Sequence, residues 1–373
     1  MKKSPIVLIL CFMLIPLNAY SVEFALFGDV VFMDTNAESE AHTFNLGGFD
    51  LTANQEIGEA TSVNAEVVFE DAGHGFEVDV ERFAVSRTFG PLFTVAAGRF
   101  HTPLGMWNQY FHHGSLLQDT ISRPFFLEFE DAHGGVFPNH LVGLILSGES
   151  ERWGYQFGYG NSNGINTLGT ESHPEETALE VINSGDPSDE KSTIIRVHIK
   201  PGFLLDEAGV FFMHNHVVEL GEPDGTSTPF VERGDYLFQQ KILGFDLRYN
   251  GEKFYHLLEY FHTTIDDNPN IVAPLATGLV PNPDSYASHA LYYQVGFRVT
   301  EKLSLIGRYE TMDYENDATY YHFLHAAPED RYVFAVNYKL QESNAIRFEF
   351  SSADIEDEDN VTSVAVQWFF ILL

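Results

Sequence analysis

The chain has 373 residues, a formal net charge of −34 at pH 7 and one cysteine, Cys11. A chain this acidic lacks the basic surface that binds nucleic acid, which argues against nucleic acid as a partner. With a single cysteine no disulfide can form within the chain, so an exported form must be stabilised by its architecture.

The first 21 residues have the pattern of a secretory signal peptide. Lys2 and Lys3 precede an apolar run over residues 5–17, and small or polar residues follow around Ala19 and Ser21. The run is too short to cross a bilayer as a helix. We therefore expect residues 1–21 to be a cleaved signal peptide and residues 22–373 to form one domain.

The rest of the chain is a succession of segments in which apolar and polar residues alternate. In the segment over residues 343–354, Ile346, Phe348 and Phe350 point one way, whereas Arg347 and Glu349 point the other way. Sixteen strands are predicted, near 23–33, 43–56, 60–70, 77–89, 91–100, 140–149, 152–160, 191–200, 208–218, 236–250, 252–264, 287–299, 302–314, 329–340, 343–354 and 361–372. The strands near 77–89 and 91–100 alternate poorly, so their registers are not predicted.

The connections alternate between tight turns and long loops. Tight turns fall near residues 56–59, 90–91, 150–151, 250–253, 300–302 and 341–344, and Asn250-Gly251 is a strong hairpin signal. The alternate connections are mostly long, near 101–139, 161–190, 219–235, 265–286 and 315–328. A soluble β-sandwich has no reason to keep this order, whereas short turns on one rim and long loops on the other are typical of outer-membrane barrels. The sequence predicts an all-β, transmembrane antiparallel β-barrel of about 16 strands in the cell outer membrane.

Six arginines fall on the polar faces of the predicted strands. An arginine facing lipid would cost ~2–4 kcal/mol near the bilayer centre, so in a barrel these side chains must point into the lumen. There they either help to select solutes or pair with acidic neighbours such as Glu310, Glu349 and Asp246, and both interpretations stay open. The six are Arg248, Arg298, Arg308, Arg331 and Arg347, with Arg196 as a weaker member.

The long connection over residues 101–139 is rich in Trp, Phe and Leu, and loops of this length without strands of their own are usually functional. It carries Glu128, Glu130 and Asp131 beside Gly134-Gly135. In this arrangement the chain resembles the sixteen-stranded porins of Gram-negative outer membranes. The resemblance implies that this third long loop folds into the lumen, that its acidic residues face the wall arginines, and that the protein forms a homotrimer. One departure is that the terminal aromatic residue of such barrels is displaced here to Phe370.

These features predict a channel for passive diffusion of small hydrophilic solutes, surrounded by outer-membrane lipid. The expected pore constriction consists of Glu128, Glu130, Asp131, Arg248, Arg298, Arg308, Arg331 and Arg347. No catalytic residue and no cofactor are expected. The acidic excess indicates either solvated acidic loops, which can bind divalent cations, or a field that gives mild cation preference.

Two other functions stay open. An enzymatic barrel would use Ser115 and His113 in the long loop, although motifs of hydrolases and metalloproteases are absent from the sequence. A closed, metal-binding structural barrel would use the loop histidines, because imidazoles with carboxylates suit zinc. Their spacing matches no compact ligand motif, so we expect them to hold the loop to the wall by hydrogen bonds, without metal. These histidines are His101, His112, His113, His133 and His140, and His214 and His216 form a second, weaker pair.

Overall fold

The structure is a computed structural model that describes residues 22–36, 42–71, 76–112, 117–129, 134–165, 178–203, 205–220, 236–268, 285–314, 318–356 and 359–372. The predicted signal peptide, residues 1–21, lies outside the described residues, and its cleavage stays a prediction. Neither helix in the described part of the chain has the length and apolar character needed to cross a membrane.

The described elements are mostly strands of eight to fifteen residues. In chain order they are β1 (Glu23–Thr35), β2 (Thr43–Ile57), β3 (Thr61–Asp71), β4 (Phe76–Gly90), β5 (Phe93–His101), α1 (Trp107–Tyr110), a 3-10 turn (Phe125–Leu127), β6 (His140–Glu149), β7 (Trp153–Gly160), β8 (Asn163–Ile165), β9 (Leu179–Val181), β10 (Ser192–Ile199), β11 (Glu207–Glu219), β12 (Phe238–Asn250), β13 (Phe254–Asp267), β14 (Tyr286–Arg298), β15 (Leu303–Tyr314), α2 (Thr319–Phe323), β16 (Glu329–Gln341), β17 (Asn344–Ile355) and β18 (Val361–Leu372). Each of the sixteen predicted strands is present, with ends shifted by a few residues.

Sixteen long strands close into an antiparallel barrel in the described part of the chain. The first and last strands complete the ring, with Val30 of β1 opposite Trp368 of β18. The two short strands lie in the connection between β7 and β10, and β8 pairs in parallel with the end of β11. The predicted fold class is confirmed. The short strands and helices were not predicted, because pieces of three to five residues carry no measurable periodicity.

The two faces of the barrel differ in the way the alternation predicts. On β18, Val366 and Trp368 are exposed, whereas Ala365 and Gln367, which alternate with them, are buried. The same holds on β17, where Phe348 is exposed on the outer face. Apolar side chains therefore cover the outside of the barrel, and polar side chains are enclosed.

A β-bulge explains why β4 alternates poorly in the sequence. Glu66 of β3 lies opposite Arg82, but Val68 lies opposite Asp79, so β4 contains one extra residue at this point. The numbering of its outward residues changes from even to odd across the bulge. The exposed residues are Val78, Val80, Phe83 and Val85.

The long connection between β5 and β6 lies inside the barrel. Its aromatic side chains pack on inward residues of β13 and β14: Phe137 stacks on Phe261 with ring centroids 4.7 Å apart, and Trp107 meets Tyr292 edge-on at 5.5 Å. These contacts belong to a buried hydrophobic core that extends from β5 and β6 through β10 to β16.

Candidate pore constriction

Two predicted arginines hold the loop against the barrel wall. Arg308 on β15 donates to Thr120 Oγ1 at 2.7 Å and to the carbonyl oxygens of Ser122 and Arg123 at 3.0 and 3.1 Å. Arg331 on β16 donates to the same Arg123 carbonyl at 2.5 Å. Both guanidinium groups therefore bind backbone carbonyl oxygens of the loop and hold it against the wall.

The wall also supplies carboxylates that accept hydrogen bonds from loop backbone N–H groups. Glu310 accepts from Phe125 N at 2.7 Å, and Glu349 on β17 accepts from Ile121 N at 2.6 Å. Glu259 on β13 accepts from Trp107 N. Hydrogen bonds to ionised acceptors are among the stronger ones in proteins. The described part of the loop is thus held through its backbone by buried acidic side chains of the wall.

Glu310 joins these two sets of contacts. Its carboxylate lies 2.5 Å from Arg308 Nε and 2.9 Å from an Arg331 nitrogen, so one acid balances two arginines. A similar network lies farther round the ring, where Arg196 binds Asp246 and Glu207, both at 2.7 Å. Sequence reasoning considered Glu310, Glu349 and Asp246 as arginine partners, but it did not foresee that carboxylates would bind the loop.

The predicted constriction contains three more arginines, Arg248, Arg298 and Arg347, which lie apart from the contacts of Arg308 and Arg331. Arg298 donates to the carbonyl of Gly251 at 2.5 Å, at the tight turn between β12 and β13. Arg248 lies over the ring of Tyr110 in the loop, 4.7 Å from its centroid. Arg248 and Arg298 line a cavity of about 190 Å³ together with Asp119 of the loop.

Arg347 also stands by itself among the predicted arginines. It is buried on β17, donates to Gln367 at 3.0 Å and lies over the ring of Phe369. The described arginines are therefore distributed over several contacts inside the barrel and do not form one cluster.

The larger open space lies on the opposite side of the loop. A cavity of about 280 Å³ separates the loop from β1, β2, β3 and β18. Asp29 and Asp50 line it from the wall, and Arg123 and Glu128 line it from the loop. Asp29 accepts a hydrogen bond from Gln367 at 2.8 Å. The cavity is thus bordered by three carboxylates and one guanidinium group.

Glu128 is the acidic loop residue that the structure describes at this cavity. Withdrawal from water raises the pKa of Glu128 above its ordinary value, and the positive charge of Arg123 opposes this shift. Arg123 lies over the ring of Phe129, 3.9 Å from its centroid. Glu130 and Asp131 lie outside the described residues.

Sequence reasoning did not select Asp29 and Asp50. The signal was present, because both fall on the inward parity of their strands, as the exposure of Val30 beside the buried Asp29 illustrates. Parity, however, identifies a side chain as inward without telling which part of the wall the loop leaves uncovered.

Three of the predicted loop histidines come together. The rings of His101, His112 and His140 have centroids 4.4 to 5.1 Å apart, and all three are buried. His113 and His133 lie outside the described residues, as does Ser115, so the enzymatic arrangement rests on residues that the structure does not describe.

No family model and no curated protein matches the chain at a significant level. Solved structures do match. An anion-selective porin from Comamonas acidovorans has a TM-score of 0.63 and 13% identity, over 94% of this chain and 99% of that one. The in-vitro folded, trimeric form of OmpT, an outer membrane protein of Vibrio cholerae, has a TM-score of 0.60 and 14% identity, over 95% of this chain and 100% of that one.

A third solved structure is the outer membrane channel DcaP of Acinetobacter baumannii. It has a TM-score of 0.57 and 9% identity, over 94% of this chain and 97% of that one. At such low identity these matches bear on the fold alone. The chain therefore has the porin-like fold, a closed barrel of sixteen antiparallel strands.

Proposed function

We propose that this protein is a channel of the cell outer membrane through which small hydrophilic solutes diffuse passively. The observation that carries the proposal is the cavity of about 280 Å³ between the inward loop and the wall of β1 to β3, which Asp29, Asp50 and Glu128 border. A loop that only plugged the barrel would have no reason to leave carboxylates around an open space on one side.

The membrane location is supported by the outer face of the barrel. Exposed Val, Phe, Tyr and Trp side chains occupy the outward positions of many strands, among them Phe334, Phe348 and Trp368. In water such a surface would be costly, whereas in hydrocarbon it is the favourable one. The solved structures with this fold include outer membrane proteins and porins. Outer-membrane lipid is therefore the partner that the outer face fits.

Selectivity in this proposal comes from the charges at the open side of the loop. Asp29, Asp50 and Glu128 together outweigh Arg123, so the passage has excess negative charge when the carboxyl groups are ionised. Charged side chains around a narrow passage set which ions enter it. We therefore propose mild cation preference, with divalent cations as additional partners of the acidic loops.

The eight residues proposed for the constriction divide by role. Glu128 borders the passage, and the same position is proposed for Glu130 and Asp131. Arg308 and Arg331 fix the loop and thereby set the size of the opening. Arg248 and Arg298 border the smaller cavity beside Asp119, and Arg347 supports the wall next to Gln367.

Planar-bilayer recording of the refolded full chain tests the proposal. We expect discrete conductance steps and a reversal potential on the cation side of a salt gradient. A protein that folds into a barrel but gives no defined steps would contradict the channel. A reversal potential on the anion side would contradict the proposed selectivity while leaving the channel itself intact.

A homotrimer is also proposed, since the resemblance to porins implies it and the OmpT structure from Vibrio cholerae includes a trimer form. Native mass measurement in detergent tests this point. A mass of three chains is expected, and a single-chain mass at all protein concentrations would contradict it.

A further inference from the structure

The cluster of His101, His112 and His140 is built from three parts of the fold. His101 ends β5 and His140 begins β6, and the two are direct partners across the strands. His112 follows α1 in the inward loop. One nitrogen from each ring can be chosen so that all three lie within 4.8 Å of one another. Three buried imidazoles at this spacing supply enough nitrogen ligands for one transition-metal ion.

A carboxylate from a fourth element completes the cluster. Glu81 Oε2 lies 2.7 Å from His140 Nε2 and 3.9 Å from His112 Nε2. In a tetrahedral zinc site with bonds of about 2.0 Å, neighbouring ligand atoms are about 3.3 Å apart, between these two distances. Glu81 is buried at the bulge of β4, and bulges commonly redirect a side chain. The irregularity of β4 thus brings an acid to the histidines.

The hydrogen bonds of Asn108 determine which nitrogen His112 offers. The Asn108 amide nitrogen donates to the carbonyl oxygens of Thr102 and Asn139, at 2.8 and 2.7 Å, so its Oδ1 must be the atom facing the ring. That oxygen lies 2.6 Å from His112 Nδ1, which therefore carries the proton and donates. In the neutral imidazole the lone pair is then on Nε2, the nitrogen that faces Glu81. Such fixing of one nitrogen by a hydrogen bond is common for histidines that bind metals.

Charged groups of both signs lie beside the rings. Arg123 Nη2 lies 3.4 Å from His112 Nδ1, and Glu81 Oε2 lies 2.7 Å from His140 Nε2. A bound metal ion would be held by the neutral imidazoles together with the carboxylate.

We propose that His101, His112, His140 and Glu81 form a binding site for Zn²⁺ or a similar transition-metal ion. Neutral imidazoles with one carboxylate suit such ions, whereas Ca²⁺ and Mg²⁺ prefer all-oxygen ligands. The bound ion would join β4, β5 and β6 to the loop just after α1. The ion would thus attach the loop to strands other than β15 and β16, to which Arg308 and Arg331 already attach it. The proposal replaces the sequence expectation that hydrogen bonds alone hold these histidines, and it does not depend on channel activity.

The test uses the full wild-type chain, refolded in detergent and loaded with ZnCl₂ or CoCl₂. One equivalent of Co²⁺ should give the intense visible absorption of a tetrahedral site, and X-ray absorption at the zinc edge should report three imidazoles and one oxygen ligand. Absence of stoichiometric binding would overturn the proposal. A shell of two imidazoles would also overturn it, because it would point to the other candidate group, Glu190, His214 and His216.

Paired variants locate the ion. The double variant His112→Ala, His140→Ala should lose the cobalt absorption, whereas the matched control His214→Ala, His216→Ala should keep it. Glu81→Gln should weaken zinc binding at least about 10-fold, the lower end of what loss of supporting groups costs in metal sites. Circular dichroism verifies that each variant folds. If the first pair fails to fold, the ligand count in the wild-type protein still decides the outcome.

Discussion

The two sides of the loop inside the barrel differ in packing and in charge. Towards β11 to β15 the lumen is filled: Phe126 and Phe137 of the loop pack on Phe261, and Arg308 is buried against loop carbonyls. Towards β1 to β3 the loop and the wall enclose a cavity of about 280 Å³ that Asp29 and Asp50 border. The loop therefore packs against the barrel wall on one side and borders the cavity on the other.

The difference shows how buried side chains can hold a long loop in a fixed position inside the barrel. Burial of a large aromatic side chain contributes about 3–5 kcal/mol, judged from its truncation to alanine. Buried ion pairs also fix the position of the loop, because a shift that separated the partners would leave an uncompensated buried charge. The hydrophobic core reaches from β5 round to β16 and Glu349 of β17 also binds the loop, whereas β1 to β3 border a cavity.

The largest effect is expected from removing the arginine that joins the loop to the filled wall. Arg308→Gln would leave the loop carbonyls of Ser122 and Arg123 with weaker donors and Glu310 with one partner fewer. Breaking a buried pair in this way costs about 3–5 kcal/mol. The loop should detach from β15, and single-channel conductance and current noise should rise.

The matched control is Arg87→Gln, since Arg87 is exposed and donates to Thr61 at 2.8 Å. It should leave the conductance unchanged. Unchanged conductance in Arg308→Gln, with the barrel folded, would mean that the remaining contacts, including those of Arg331 and Glu349, are enough to hold the loop.

A smaller effect is expected at Gly105, where the loop turns towards β13. Its φ of +78° is a left-handed value, and a Cβ there would lie 2.5 Å from Glu259 Oε2. Glu259 cannot move aside without losing its bond to Trp107 N. Gly105→Ala should therefore lower the thermal midpoint through both backbone strain, roughly 1–3 kcal/mol, and this clash.

Gly134→Ala separates the two causes. Gly134 also has a positive φ, +81°, but among the described residues no atom lies within 4 Å of a Cβ placed there. It should show the cost of the backbone conformation only. Equal losses of thermal midpoint in the two variants would disprove the role of the Glu259 contact.

The sequence predicted the barrel well because its evidence is local. Alternation along a strand identified Arg308 and Arg347 as inward, and both are buried. The partners of Arg308 could not be predicted in the same way, since the Ser122 carbonyl is 186 residues away in the chain. The bulge in β4 was visible only as poor alternation, so the inward direction of Glu81 was missed. Local periodicity thus predicts the wall, whereas the contents of the lumen depend on contacts between distant residues.

At the cavity beside β1 to β3, replacing the acidic side chains should change the ion selectivity without moving the loop. The double variant Asp29→Asn, Asp50→Asn removes two negative charges from the cavity while keeping side chains of similar size. The reversal potential in a salt gradient should move towards the anion side. Asp354→Asn, at an exposed position near the end of β17, is the control and should leave it unchanged. Equal shifts in both variants would mean that overall charge, rather than the cavity, sets the preference.

The smallest effect concerns the pH dependence of that preference. Because burial raises the pKa of Glu128, its carboxylate charge is present above that raised pKa and is lost as the pH falls through it. Cation preference should therefore begin to decline at a higher pH than an ordinary glutamate would give. Glu128→Gln should abolish this first step, whereas Glu56→Gln, exposed near the turn between β2 and β3, should retain it. If both variants keep the step in reversal potential measured between neutral and acidic pH, another group titrates at the passage, and Glu128 does not contribute to its selectivity.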